Sequence, residues 1–113
     1  MDNKKDNNYY INKVITDLEF LIEHTKDLNR EQFGKDEVLL DSIMFRFIQI
    51  SEHIKKLSLE FKEAHNSIPW ISIIGLRNRI VHEYGNVDLS IVYDAVKEDI
   101  YIIHGLFKSI RKE

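Results

Sequence analysis

A chain of 113 residues, 43% hydrophobic and 31% charged, is sized for one hydrophobic core and is too apolar for wholesale disorder. It has no cysteine, which excludes disulfides, thiolate metal sites and cysteine nucleophiles, and no apolar run reaches the roughly 18 residues that span a bilayer. A formal net charge of −3 argues against coating nucleic acid through bulk electrostatics, yet leaves room for a local basic cleft. Lys55, Lys56, Arg77, Arg79, Lys97, Lys108, Arg111 and Lys112 are candidates for such a cleft. The polar segment Met1–Asn8 leads into no signal-peptide core, so a cytoplasmic location is expected.

One proline and four glycines leave little turn material, so a few long elements are expected. From about Asn8 to Leu28, Ile11, Val14, Ile15, Leu18, Leu21, Ile22, Thr25 and Leu28 recur at helical spacing. Asn29 to Lys35 reads as a loop. Asp36 suits an N-cap, and Leu40, Ile43, Phe47, Ile50, Ile54 and Leu57 then repeat 3-4-3-4-3 along a second helix. A short helical piece over Leu59–His65 precedes a break at Asn66–Pro69. Pro69 suits the first turn of a helix carrying Trp70 to about Tyr84, with Gly85-Asn86 as its stop. Asp88 is expected to cap a last helix, whose face is marked by Val92, Ala95, Val96, Asp99, Ile103, Leu106 and Ile110. Asp99 breaks this apolar stripe, which Ile100 and Ile102 carry past it. Short links between long helices predict an all-α, up-and-down bundle of four or five helices.

No phosphate-binding glycine loop or nucleophile elbow is present. None of His24, His53, His65, His82 and His104 lies three or four residues from another, so no metal site is expected. The helix after Pro69 stands apart. At about 100° per residue, Arg77 falls near the middle of the apolar arc formed by Trp70, Ile73, Ile74, Ile80 and Val81. A guanidinium there is costly unless it reaches a partner or a wet cleft. Asn78 and His82 share a neighbouring face, and Tyr84 returns to the Arg77 stripe. A purely structural account is available: Arg77 paired with a carboxylate, His82 a helix C-terminal cation, Tyr84 packing.

Arg77-Asn78-(x)3-His82-x-Tyr84 matches the R-x4-6-H signature of the HEPN superfamily in the form typical of HepT toxins. Pro69-Trp70 and Ile73-Ile74-Gly75-Leu76 resemble that family's flanks. Arg46-Phe47-Ile48-Gln49-Ile50-Ser51-Glu52 resembles its R-x-x-Q-x-x-E segment, with serine where glycine is common. The resemblance covers nearly the whole chain and implies one HEPN domain over residues 1–113. It implies a metal-independent, cofactor-free endoribonuclease, acting on tRNA or mRNA as a homodimer with the motifs facing across the interface. Arg77 and His82 would be catalytic, with Asn78, Arg46, Gln49 and Glu52 in support. It further implies a minimal nucleotidyltransferase antitoxin of the MNT type, which transfers AMP to Tyr84.

The residue types suit that chemistry. RNA carries its own nucleophile, the 2′-hydroxyl, so the protein need supply only proton transfer and charge stabilisation. Imidazole exchanges protons near neutrality, and guanidinium grips phosphate oxygens. Arg77 and His82 point about 140° apart on an ideal helix, too far for an easy shared grip on one phosphate. A two-fold dimer would bring one chain's His82 to the other's Arg77, and unwinding before Gly85 is the competing solution. The alternative function is a non-catalytic helical subunit that binds a nucleotidyltransferase or nucleotide. A plain structural bundle is the third reading.

Overall fold

The computed structural model describes residues 5–85 and 88–111, and they are helical with no strand among them. Helix α1 (Asn7–Thr25) starts where the Asp6 carboxylate accepts from the Tyr9 amide at 2.9 Å. Its stripe of Ile11, Val14, Ile15, Leu18 and Leu21 is buried. The expected end at Leu28 is three residues too far. Thr25 turns its hydroxyl back to the Leu21 carbonyl at 2.6 Å, and Lys97 donates to the Thr25 and Lys26 carbonyls at 2.7 and 3.1 Å. Lys97 thus serves a helix C-terminus rather than a basic cleft.

The segment read as a loop contains one helical turn, α2 (Arg30–Phe33). Asn29 and Gln32 form a reciprocal capping box, and Phe33 is 1% exposed. Two satisfied amides and a buried aromatic ring are enough to hold so short an element. Helix α3 (Glu37–Lys55) begins as expected, with the Asp36 carboxylate accepting from the Leu39 amide at 3.0 Å. Such a cap contributes about 1 kcal/mol. Ser58 caps α4 (Leu59–Ala64) and is clasped by the Asn7 side chain, which ties that turn to the start of α1.

Helix α5 (Trp70–Gly85) follows Pro69 directly. The Asn86 half of the expected stop, like Met1 to Lys4 and Lys112, lies outside the described residues. The final limb runs through α6 (Leu89–Asp94), a π-helical turn (Ala95–Asp99) and α7 (Ile100–Ile110). Asp88 occupies the N-cap position, but its side chain makes no capping hydrogen bond, contrary to expectation. The π turn adds a residue to one helical turn and so rotates α7 relative to α6. Ile100, Ile103 and Phe107 are therefore buried, while Asp99 and Ile102 face outward. The expected face holds at Ile100 and Ile103, with Leu106 and Ile110 half-buried against the core; Ile102, expected to help carry the stripe, is the departure, and Phe107 joins the core instead.

The four long limbs close into a ring. α1 packs on α3 and α7, α3 on α5, and α5 on α6. Tyr10 meets His53 and Asn7 meets Ser58, so α1 and α3 run antiparallel. Tyr84 meets Asp41 while Trp70 and Ile54 line one groove, so α3 and α5 do likewise. The all-α bundle is as expected.

Candidate active site

Only Ile73 and Ile80 of α5 are buried; Trp70, Ile74, Leu76, Val81 and Tyr84 are half-buried, so one whole flank of the helix is open. That flank carries Ile71, Gly75, Asn78 and His82 at 4-3-4 spacing, all exposed, with Ile71 at 89%. A helix that leaves an isoleucine so open beside polar residues presents a surface for something other than its own core.

Arg77 lies on the adjoining, inward side, between Ile73 and Ile80 along the helix. Its Nε is buried with no protein hydrogen-bond partner, while one terminal nitrogen donates to the Asn78 side-chain oxygen at 3.0 Å. Arg77 also borders a cavity of about 10 Å³ whose other lining, from Leu18, Phe47, Ile50, Ile73, Leu76, Ile100 and Ile103, is wholly apolar. A space near the lower limit for one water, with nothing else polar on its walls, cannot satisfy Nε well. The arginine thus has its stem in the core, its Nε unsatisfied, and its fork held at the surface by Asn78. Its partner is an amide, and no carboxylate among the described residues pairs with it, so the structural account of Arg77 as half of an ion pair has no support here.

His82 is exposed and one turn beyond Asn78, away from the inward-facing Arg77. The helix stays regular through Gly85, so α5 does not unwind to bring the two together. Tyr84 donates its phenolic proton to the Asp41 carboxylate on α3. That hydrogen bond, then partial burial and the negative charges of Asp41 and Glu37, raise the phenol above its ordinary value of 10.0. Sequence reasoning missed Asp41 and Glu37. Their i, i+4 spacing in the first turns of α3 is visible in the sequence, but what they face depends on how α3 lies against α5.

On α3, Arg46 and Gln49 are half-buried and Glu52 is exposed. Arg46 donates to Asp17 of α1 at 2.8 Å and lies over the Phe20 ring at 3.9 Å. Asp17 is only 7% exposed, and the His53 ring stands 3.8 Å from its other oxygen. Burial lowers the His53 pKa, with Asp17 opposing and Lys13 and Lys56 assisting. Glu52 pairs with Lys55 at 3.6 Å.

The HepT-like family, described as Ribonuclease HepT-like, matches residues 14–110. The chain belongs to this ribonuclease family. It is 35% identical over 97 residues to a Methanocaldococcus jannaschii protein named "Gamma-glutamylcyclotransferase and putative RNase". That match takes in 86% of this chain and 44% of the relative, so the chain spans under half of that protein. It is also 35% identical over 91 residues to a "Putative RNase" of Caldanaerobacter subterraneus subsp. tengcongensis, covering 80% and 81% of the two chains. A "Probable ribonuclease HepT" of Thermococcus cleftensis matches at 28% over 109 residues, 96% and 99% of the respective lengths. No solved structure matches significantly. No described helix is long and apolar enough to cross a membrane.

Proposed function

We propose that this HepT-like ribonuclease is a metal-independent endoribonuclease toxin that cleaves tRNA or mRNA in a cleft between two copies of the chain. The observation that carries the reading is Arg77. A half-buried arginine with an unpaired Nε beside an apolar void costs stability, which supports a role for the group beyond packing. Its fork, braced by Asn78, is the phosphate clamp: planar donors that stabilise charge as the 2′-hydroxyl attacks and the phosphorus becomes five-coordinate. His82 transfers the proton at the attacking or leaving oxygen. Arg77 faces inward and His82 outward on a helix that remains regular, so the complete constellation pairs His82 of one copy with Arg77 of the second. Arg46, Gln49 and Glu52 of α3 take supporting roles in this reading, with Arg46 anchored by Asp17 of α1. We further propose that Tyr84 is the target of a minimal nucleotidyltransferase antitoxin of the MNT type. An added AMP would bring bulk and negative charge towards the Arg77 stripe and shut out RNA.

The test is RNA cleavage by the purified protein with and without EDTA, beside His82→Ala. Cleavage that survives EDTA and falls by about 100-fold or more in the variant is expected for loss of a general acid–base group. Circular dichroism should show unchanged helix content. An EDTA-sensitive reaction, or a fully active His82→Ala, would defeat the mechanism.

A further inference from the structure

Between the end of α3, α4 and the first half of α5 lies a groove of about 340 Å³ that touches the motif at Asn78. Its walls are apolar, from Ile54, Trp70, Ile71 and Ile74, and its two charged residues, Lys55 and Lys62, are both basic. The indole is fixed: Trp70 Nε1 donates to the Lys62 and His65 carbonyls at 3.0 and 3.2 Å, and its ring stands edge-on to Phe107. Those two hydrogen bonds also lock the end of α4, and so set where Lys62 starts. Opposite, Gly75 leaves open space where a side chain would project. Lys55 is exposed, and its ionic partner among the described residues is its i, i+3 neighbour Glu52 at 3.6 Å, a contact an incoming phosphate can replace.

We infer that this groove is a nucleotide subsite for single-stranded RNA, in which Trp70, Ile71 and Ile74 receive a base and Lys55 and Lys62 hold the adjoining phosphates. The chemistry favours that occupant. A stacking or apolar platform flanked by cations is how proteins hold unpaired nucleotides. A volume near the low end of ligand pockets, roughly 300 Å³ upward, suits one nucleoside. Asn78 belongs both to the groove and to the Arg77 clamp through their 3.0 Å hydrogen bond, so a strand in the groove enters the clamp directly. The inference rests on the ribonuclease reading for its substrate, and adds where the strand lies beside the scissile phosphate.

Trp70 is the only tryptophan in the chain, which makes the groove its own reporter. The probe is a short 2′-O-methyl oligouridylate, which lacks the nucleophile and cannot be cleaved by attack of a 2′-hydroxyl. Binding should quench the Trp70 emission. Lys55→Glu/Lys62→Glu should weaken binding at least tenfold and flatten its dependence on log salt by about 1.4, the value for two single-strand phosphates. In cleavage assays the same variant should raise KM more than it lowers kcat. Lys26→Glu/Lys35→Glu, with the same charge change outside the groove, should bind the probe nearly as wild type does. If the double groove variant misfolds by circular dichroism, Lys62→Gln alone should reduce the slope by about 0.7. Unchanged emission with a protein that cleaves RNA would overturn the subsite and leave the ribonuclease standing. So would equal affinity in the groove and control variants, or loss of a dimer in sedimentation on Lys62→Gln, which would make the groove a contact between copies. Quenching without any cleavage would retain the subsite and refute the ribonuclease.

Discussion

Replacing Arg77 by methionine should make the protein more stable and inactive together. The two residues have nearly equal helix propensity, so the backbone contributes little to the difference. A buried donor without a partner costs about 1–3 kcal/mol, and Arg77 Nε is such a donor. Methionine removes it, keeps most of the stem volume against Ile73 and Ile80, and adapts to the adjoining 10 Å³ void. Against this stands the lost bond to Asn78, about 1 kcal/mol once the roughly 1.5–3 kcal/mol of a bond to a charged group is discounted for an exposed contact between adjacent residues. The net gain is about 1 kcal/mol. Unfolding entropy for 113 residues is about 0.24 kcal/mol/K, so Tm should rise by about 4 °C. The assay is thermal unfolding followed by circular dichroism at one fixed protein concentration, since assembly would shift Tm by mass action. In parallel, kcat for RNA cleavage should fall about 100- to 1,000-fold, the scale for loss of one charge-stabilising donor group. A Tm lowered by several degrees would show the guanidinium to be satisfied and structural. An active Arg77→Met would remove it from the chemistry altogether.

Tyr84→Phe should keep most ribonuclease activity yet gain no AMP from the partner nucleotidyltransferase with ATP and magnesium, as intact mass would show; equal gain by both proteins would exclude Tyr84 as the target. Asp41→Asn should bring the Tyr84 phenol back towards its ordinary value, visible as an earlier rise in tyrosinate absorbance on alkaline titration. Because folding raises this pKa, the stability it contributes is fully present below pH 10 and lost as pH climbs through the higher folded value. Arg46→Ala strands the Asp17 carboxylate at 7% exposure and should cost about 2–3 kcal/mol in urea unfolding, below the roughly 3–5 kcal/mol of a fully buried pair because Arg46 is itself partly exposed. Sedimentation at micromolar concentration should give a dimer, and a monomer that still cleaves RNA would refute the shared cleft.

What the sequence determined was local. The stripes of α1 and α3, the Asp36 cap, the start of α5 after Pro69 and the inward setting of Arg77 all depend on residues within about one helical turn of each other. These can be read from spacing alone, and so can the Arg77-Asn78-His82-Tyr84 motif. The capping box at Asn29 and Gln32 is equally local, although the glycine and charges around it give that stretch the look of a loop. The π turn is a different matter: whether helix hydrogen bonding slips by one residue at Ala95–Asp99 depends on which side chains the neighbouring helices accept, and this decides that Phe107 goes inward and Ile102 outward. The same holds for Asp41 under Tyr84, 43 residues apart, and for Asp17 under Arg46, 29 apart. No periodicity within α3 says which carboxylate lies beneath which partner. That is set by the relative rotation and axial register of packed helices, which only the complete core fixes. The groove beside Asn78 has the same origin, since Lys55, Lys62 and Trp70 meet only once α4 has folded back over the end of α3.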